Sequence, residues 1–187
     1  MTVAGAVPPL TAATPRPALQ VVVMGVSGCG KSTVGLLLAS ALGHHFVEGD
    51  RLHPPHNVAL MAAGTALTDA DRAGWLATIA GRLGAAHAAG QGLVVSCSAL
   101  KRSYRDQLRA ACPGLRFVHL RGTPAQLRER LQGRSGHYMP ASLLDSQLAT
   151  LQAPAADEQA LVFNIDQPAA QIAAAAAQQL TQVSNTT

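Results

Sequence analysis

The chain has 187 residues, 48% hydrophobic but only 3% aromatic, with 13% charged side chains and a formal net charge of +4. That length and composition fit one domain with a sizeable core of small and aliphatic side chains. Dispersed Lys and Arg argue against a nucleic-acid surface, and no apolar run approaches the roughly 20 residues of a membrane span.

Residues 1–19 are rich in Pro, Ala and Thr and lack the basic start and apolar block of a secretory signal. They read as a flexible tail, followed by a single domain over 20–183 and a short tail over 184–187. Three cysteines, Cys29, Cys97 and Cys112, have neither metal-ligand nor disulfide spacing. Such thiols suit a reducing cytoplasm.

Val21–Met24 is an unbroken apolar run and reads as a buried parallel strand. It leads into Gly25-Val26-Ser27-Gly28-Cys29-Gly30-Lys31-Ser32, which matches G-x-x-x-x-G-K-[ST] at every fixed position. Glycines let the backbone curl until several N–H groups face one phosphate. The helix expected from Lys31 to Leu42, stopped by Gly43, turns its positive end toward the same anion. Lys31 can reach the β- and γ-phosphates of ATP, and the Ser32 hydroxyl can ligate Mg²⁺.

A second strand, His45–Val47, delivers Glu48-Gly49-Asp50 to its carboxyl end. Pro54 and Pro55 delay the next helix, which is expected over Val58–Ala63 and ends at Gly64. Thr68, with Asp69 and Asp71 after it, reads as a cap for a long helix with Trp75, Leu76, Ile79 and Leu83 on its apolar stripe. Leu93–Val95 is a third strand, ending in Ser96-Cys97-Ser98. A helix over Lys101–Ala111 is broken by Pro113-Gly114, and Phe117–Leu120 is a fourth strand. Thr123 to Gln126 forms a capping box with Pro124 at the first helical position. That helix carries Arg128, Arg130 and Arg134 and runs into a glycine-flanked stretch, an expected mobile lid over about 130–141. Ser142–Thr150 is expected to be helical, Leu161–Ile165 is a fifth strand, and an alanine-rich helix follows Pro168.

Strands alternating with helices imply a parallel sheet with right-handed crossovers and a site at the strands' carboxyl ends. That rule gathers Gly25–Ser32, Glu48–Asp50, Ser96–Lys101 and the turn after the fourth strand. Asp50 is placed to orient an acceptor hydroxyl and take its proton. Glu48 either holds a Mg²⁺-bound water or is a solvated acid. Arg130 and Arg134, spaced i, i+4, share a face suited to adenine and phosphate. Lys101, Arg102 and Arg105 either meet an anionic substrate or, for Arg105 with Asp106, form a local pair. Arg72 in the first turn of a helix is electrostatically unfavourable, which hints at a ligand. His53 and His56 lack a third metal ligand nearby. Trp75 reads as core.

Several further motifs, SCSALKR.YRD.LR over 96–109, EGD..HP..N over 48–57, RLQGRSGHYM over 130–139 and IDQP over 165–168, resemble the gluconokinases, P-loop sugar-acid kinases related to shikimate kinase. The resemblance spans about residues 21–180. It implies a three-layer α/β fold with a five-stranded parallel sheet of order 2-3-1-4-5, helices on both faces and a lid. It implies transfer of the γ-phosphoryl of ATP, with Mg²⁺, to the 6-hydroxyl of D-gluconate in a cytoplasmic homodimer. By that resemblance Gly25, Ser27, Gly28, Cys29, Gly30, Lys31, Ser32 and Thr33 cradle the triphosphate. Arg130, Arg134, Gln167 and Pro168 complete the nucleotide site, and Ser32 with Glu48, through water, serves the metal. Asp50, His53, Arg72, Lys101, Arg105 and His137 are expected near gluconate, with Lys31, Asp50 and Arg134 catalytic. The first acid of the second strand's motif is commonly Asp rather than Glu48, and Gln152 stands where an acid is expected. The residues alone leave open another small acceptor, such as shikimate or a nucleoside monophosphate, or a non-catalytic nucleotide-binding regulator.

Overall fold

The computed structural model of the chain describes residues 18–132 and 142–184. Most of the expected tails and of the expected lid lies outside these residues. Five strands, β1 (Gln20–Met24), β2 (His45–Glu48), β3 (Leu93–Ser96), β4 (Arg116–Arg121) and β5 (Leu161–Asn164), form one parallel sheet of order β2-β3-β1-β4-β5. That is the order expected from the sequence.

Alternation along β1 splits the core into two layers. Val21 and Val23 face one side, with Val118, Leu120 and Phe163. They are covered by α1 (Lys31–Leu42) and α7 (Ala169–Ser184) through Leu38, Leu42, Ile172 and Ala176. Val22 and Met24 face the other side, with Val95 and Phe117. There α3 (Asp69–Ala88) supplies Trp75, Ile79 and Leu83, and α4 (Arg102–Ala111) supplies Tyr104 and Leu108. Small residues on α7 let it lie close to α1, which is how so few aromatics fill a three-layer fold.

Three shorter helices frame the sheet's carboxyl edge: α2 (Pro55–Ala62), α5 (Pro124–Gln132) and α6 (Ser142–Thr150). The α2 helix starts three residues earlier than expected. Pro55 occupies its first turn, where a missing N–H costs nothing, so the proline begins the helix instead of delaying it. Both expected caps are present: Thr68 Oγ1 accepts from Asp71 N at 3.2 Å, and Thr123 Oγ1 from Gln126 N at 3.3 Å.

Candidate functional site

The turn after β1 is shaped by glycine. Gly25, Gly28 and Gly30 have φ of 142°, 82° and 95°, a range that side chains disfavour. A Cβ at Gly25 would lie 2.7 Å from the Leu120 carbonyl, so this turn presses directly against the end of β4. Gly30 precedes α1 in a left-handed conformation and offers no side-chain cap, and the first turn of α1 holds no acid. The helix therefore presents bare N–H groups and its positive end to the turn. Lys31 Nζ folds back to the Val26 carbonyl at 3.2 Å. Cys29 is buried, and burial raises its thiol pKa, so its part in the cradle is its backbone. This shape and charge fit a nucleotide's phosphates. Ser32 and Thr33 share a surface hollow with Glu48. Two hard oxygen donors on one hollow fit Mg²⁺, which takes few protein ligands beside water and phosphate. Among the described residues no three His, Cys, Asp or Glu side chains group as a metal site.

The facing wall is held by main-chain contacts. Glu48 and Ser96 are register partners across β2 and β3. The Ser96 hydroxyl donates to Glu48 Oε1 and accepts from Gly49 N at 3.0 Å. A Cβ on Gly49 would stand 1.9 Å from the Ser96 carbonyl oxygen, so only glycine allows this approach. Trp75 Nε1 donates to the Gly49 carbonyl at 2.8 Å, and its ring stacks on His53 at 4.1 Å. Trp75 is core, as expected, but it also braces the turn that carries Asp50. The spacing of His53 and Asn57 has a local reason: their side chains meet at 3.3 Å, and Asn57 Nδ2 reaches the Asp71 carbonyl at 2.7 Å, which ties α2 to α3. Burial, with Arg72 adding to it and Asp50 opposing it, holds His53 below its ordinary pKa.

Between the two walls lies a cleft. Lys31, Asp50, His53 and Arg72 all line it, beside Ser27 and Ser98. The structure thus brings together the loop lysine, the carboxylate and one of the expected substrate cations. Met61, Thr65, Ala66 and Leu67 form the outer wall.

Two other expected cations are placed differently. Lys101 pairs with Asp69 at 2.7 Å, and Asp69 also accepts from the Tyr104 hydroxyl at 2.5 Å. Arg72 Nη1 lies 3.5 Å from that hydroxyl, so Lys101 joins a network behind Arg72 and does not line the cleft. The Lys101 and Tyr104 hydrogen bonds keep the Asp69 carboxyl below its usual pKa. Arg105 requires a correction. Its side chain is 0% exposed and its guanidinium is bidentate to Glu158, at 2.6 and 2.7 Å. The remaining nitrogen, Nη1, donates to the carbonyls of Ala99 and Leu100. With its donors spent inside the protein, Arg105 is a support and not a gluconate ligand. What it supports is the turn after β3, where Ala99 has φ 43° and the Ser98 carbonyl accepts from Gly25 N at 3.3 Å. The local Arg105–Asp106 pair is not formed either; Asp106 pairs with Arg102 and Arg109.

Arg130 approaches Gly30 and donates to the Ile165 carbonyl, so it spans from the phosphate turn to the loop that carries Gln167 and Pro168, both exposed. Arg134 and His137 lie outside the described residues. Gln152, where an acid was expected, caps α4: its Oε1 accepts from Arg102 N at 2.8 Å, while its own N–H binds the Leu100 carbonyl. Sequence reasoning missed Gln147, whose Oε1 accepts from Ser27 N at 2.7 Å. Its only signal was a polar pair, Ser146 and Gln147, set beside Leu143 on one face of α6.

A family model described as an AAA domain matches residues 21–154. The chain is 58% identical over 137 residues to a gluconokinase of Gluconobacter oxydans, covering 73% of this chain and 77% of that one. A crystal structure of a gluconokinase from Sinorhizobium meliloti superposes with a TM-score of 0.80 at 47% identity, over 90% of this chain and 96% of that one. An unliganded sugar kinase from Janibacter superposes at 0.84 with 46% identity, over 88% and 95%. An APS kinase of Mycobacterium tuberculosis, 19% identical with a TM-score of 0.66, shares the fold. By sequence over most of its length, and by the architecture it shares with solved relatives, the chain belongs to the gluconokinase family.

Proposed function

We propose that the chain transfers the γ-phosphoryl group of ATP to the 6-hydroxyl of D-gluconate, giving 6-phospho-D-gluconate and ADP. The observation that carries this reading is that Lys31 of the phosphate turn, Asp50 and Arg72 line one cleft. Family membership supports the choice of acceptor. Asp50 orients the hydroxyl and accepts its proton as the oxygen attacks. Lys31 moves from the Val26 carbonyl onto the phosphates and stabilises the charge that spreads over the transferring group. Arg72, braced by Tyr104, faces the carboxylate of the acid. His53, held neutral by burial and stacked on Trp75, offers a hydrogen bond to a hydroxyl. Magnesium, when bound, neutralises charge between the phosphates, and Ser32 with Glu48 through water would hold it. Arg130, Gln167 and Pro168 take the adenine side. Arg134 serves the phosphates and His137 the acceptor.

We further infer a cytoplasmic homodimer. Membership of the gluconokinase family is what supports this reading. Light scattering at micromolar concentration would return twice the chain mass. No helix among the described residues is long and apolar enough to cross a membrane.

The deciding experiment is an ADP-release assay across an acceptor panel. Turnover is expected with gluconate and not with shikimate or a nucleoside monophosphate. Shikimate turnover without gluconate turnover would replace the acceptor, and nucleotide binding with no acceptor-dependent turnover would leave a regulator.

A further inference from the structure

Gln147 makes a contact that phosphoryl transfer by Lys31, Asp50 and Arg72 does not use. Its carboxamide oxygen accepts the N–H of Ser27, 120 residues away in sequence, at 2.7 Å. Ser27 is the third residue of the phosphate turn and the one whose flank opens on the cleft beside Asp50 and Arg72. The amide bound by Gln147 is therefore at the acceptor end of the cradle, where the outermost phosphate of a triphosphate comes to rest. A main-chain N–H in such a turn is a donor for phosphate oxygen. In this structure that donor is taken by a neutral side-chain oxygen.

The reach is made from a fixed base. Leu144 on α6 is fully buried, and Leu148 and Leu151 pack on the same core. Arg128 on α5 pairs with Asp145 at 2.8 Å and links the two helices. Leu143 and Ser146 line the cleft next to Gln147, so one face of α6 is part of its wall.

We propose that Gln147 is a positioning residue for phosphoryl transfer. It holds the Ser27 N–H in the nucleotide-free protein, yields it to the terminal phosphate of the nucleoside triphosphate, and turns its carboxamide, which both donates and accepts, to the acceptor hydroxyls. The inference rests on the phosphotransfer reading of this cleft. It makes the site sensitive to the number of phosphates, because a diphosphate lacks the γ-phosphate that would displace Gln147. It also couples the nucleotide to the acceptor through one side chain. A purely structural tie between α6 and the turn would show no such sensitivity.

The test is calorimetry on the full chain without acceptor, with Mg²⁺ and either ADP or the non-hydrolysable triphosphate analogue adenylyl imidodiphosphate, for the wild type, Gln147→Ala and Gln147→Glu. Removing the competitor should raise the triphosphate-to-diphosphate affinity ratio in Gln147→Ala by about three- to tenfold, the change expected of one net hydrogen bond. The Gln147→Glu carboxylate should lower the ratio, since it binds the N–H more strongly and repels the incoming phosphate. In turnover assays Gln147→Ala should raise the KM for the acceptor about tenfold, the change expected of one lost hydrogen bond, while the KM for ATP does not rise. A ratio unchanged in both variants, or both nucleotides weakened together, would overturn the proposal. Because the ratio is measured without acceptor, it stands or falls independently of which sugar acid is phosphorylated.

Discussion

Arg72 and Arg105 project from neighbouring helices, α3 and α4, and their guanidinium groups meet different company. Arg105 is enclosed, bidentate to Glu158 and bonded to two carbonyls. Arg72 hydrogen-bonds one neutral hydroxyl among the described residues, at 3.5 Å, interacts with the Asp69 and Asp71 carboxylates without a hydrogen bond to them, and borders the cleft. The sequence offers both as anion ligands. The three-dimensional difference is whether a carboxylate already accepts the guanidinium's hydrogen bonds. An arginine saturated by the protein holds the scaffold, and one left with donors facing a cavity is available to a substrate.

Four experiments sharpen or break this contrast. The largest effect belongs to the cleft that Arg72 borders. Asp50→Asn should lower kcat by about 10²- to 10⁴-fold, the usual contribution of a positioned base, with an unchanged melting temperature; wild-type turnover would remove Asp50 from the mechanism. Next, Arg105→Leu leaves the buried Glu158 carboxylate with only Arg109 Nη2 at 3.0 Å and the Ala155 N–H at 3.1 Å, and should cost about 3 kcal/mol of stability in chemical denaturation, the low end for a broken buried pair. The surviving folded fraction should keep the gluconate KM, and a raised KM with intact stability would reverse the roles of the two arginines. Third, Arg72→Ala should raise the gluconate KM by about 10- to 100-fold, the loss of a hydrogen bond to a charged group, with little change in melting temperature. The smallest effect is expected of Lys101→Ala, because the Asp69 pair it breaks is solvated and lies behind the cleft.

The same buried pair predicts a pH response. Arg105 holds the Glu158 carboxyl down to about 2, against an ordinary value of 4.5. A folded-state value below the unfolded one means the pair's stabilisation is fully present above pH 4.5. It erodes as the pH falls below that value and is lost once the pH passes through about 2. Melting curves of the wild type should show this acid-side slope between pH 4.5 and 2, and it should flatten in Arg105→Leu.

The sheet order, both helix caps and the phosphate turn were legible because each has a local signature: apolar runs, Thr three residues before an acid or amide, and glycines at fixed spacing. Lys31 and Asp50 could be gathered because strand ends in a parallel sheet converge, and Arg72 stood out as a cation in the first turn of a helix. Arg105 was misplaced for a physical reason. Its partner Glu158 is 53 residues away and approaches only once the chain has folded, so no local pattern could tell a buried pair from a substrate ligand. Gln147 escaped for the same reason, since a single polar residue on a helix carries no address. Gln152 read as a departure from the family's pattern, yet an amide oxygen serves the exposed end of α4 directly.

The contact between Gly49 and the Ser96 carbonyl has a practical consequence for redesign. The turn that carries Asp50 is set by backbone against backbone, which leaves no room for adjustment at position 49. The outer wall, in contrast, is made of side chains, of which Met61, Thr65 and Ala66 are at least partly exposed. Attempts to retune the enzyme toward longer or shorter polyols should therefore vary Met61, Thr65 and Ala66 and leave the Glu48–Asp50 corner untouched, because a side chain can be exchanged where a backbone contact cannot.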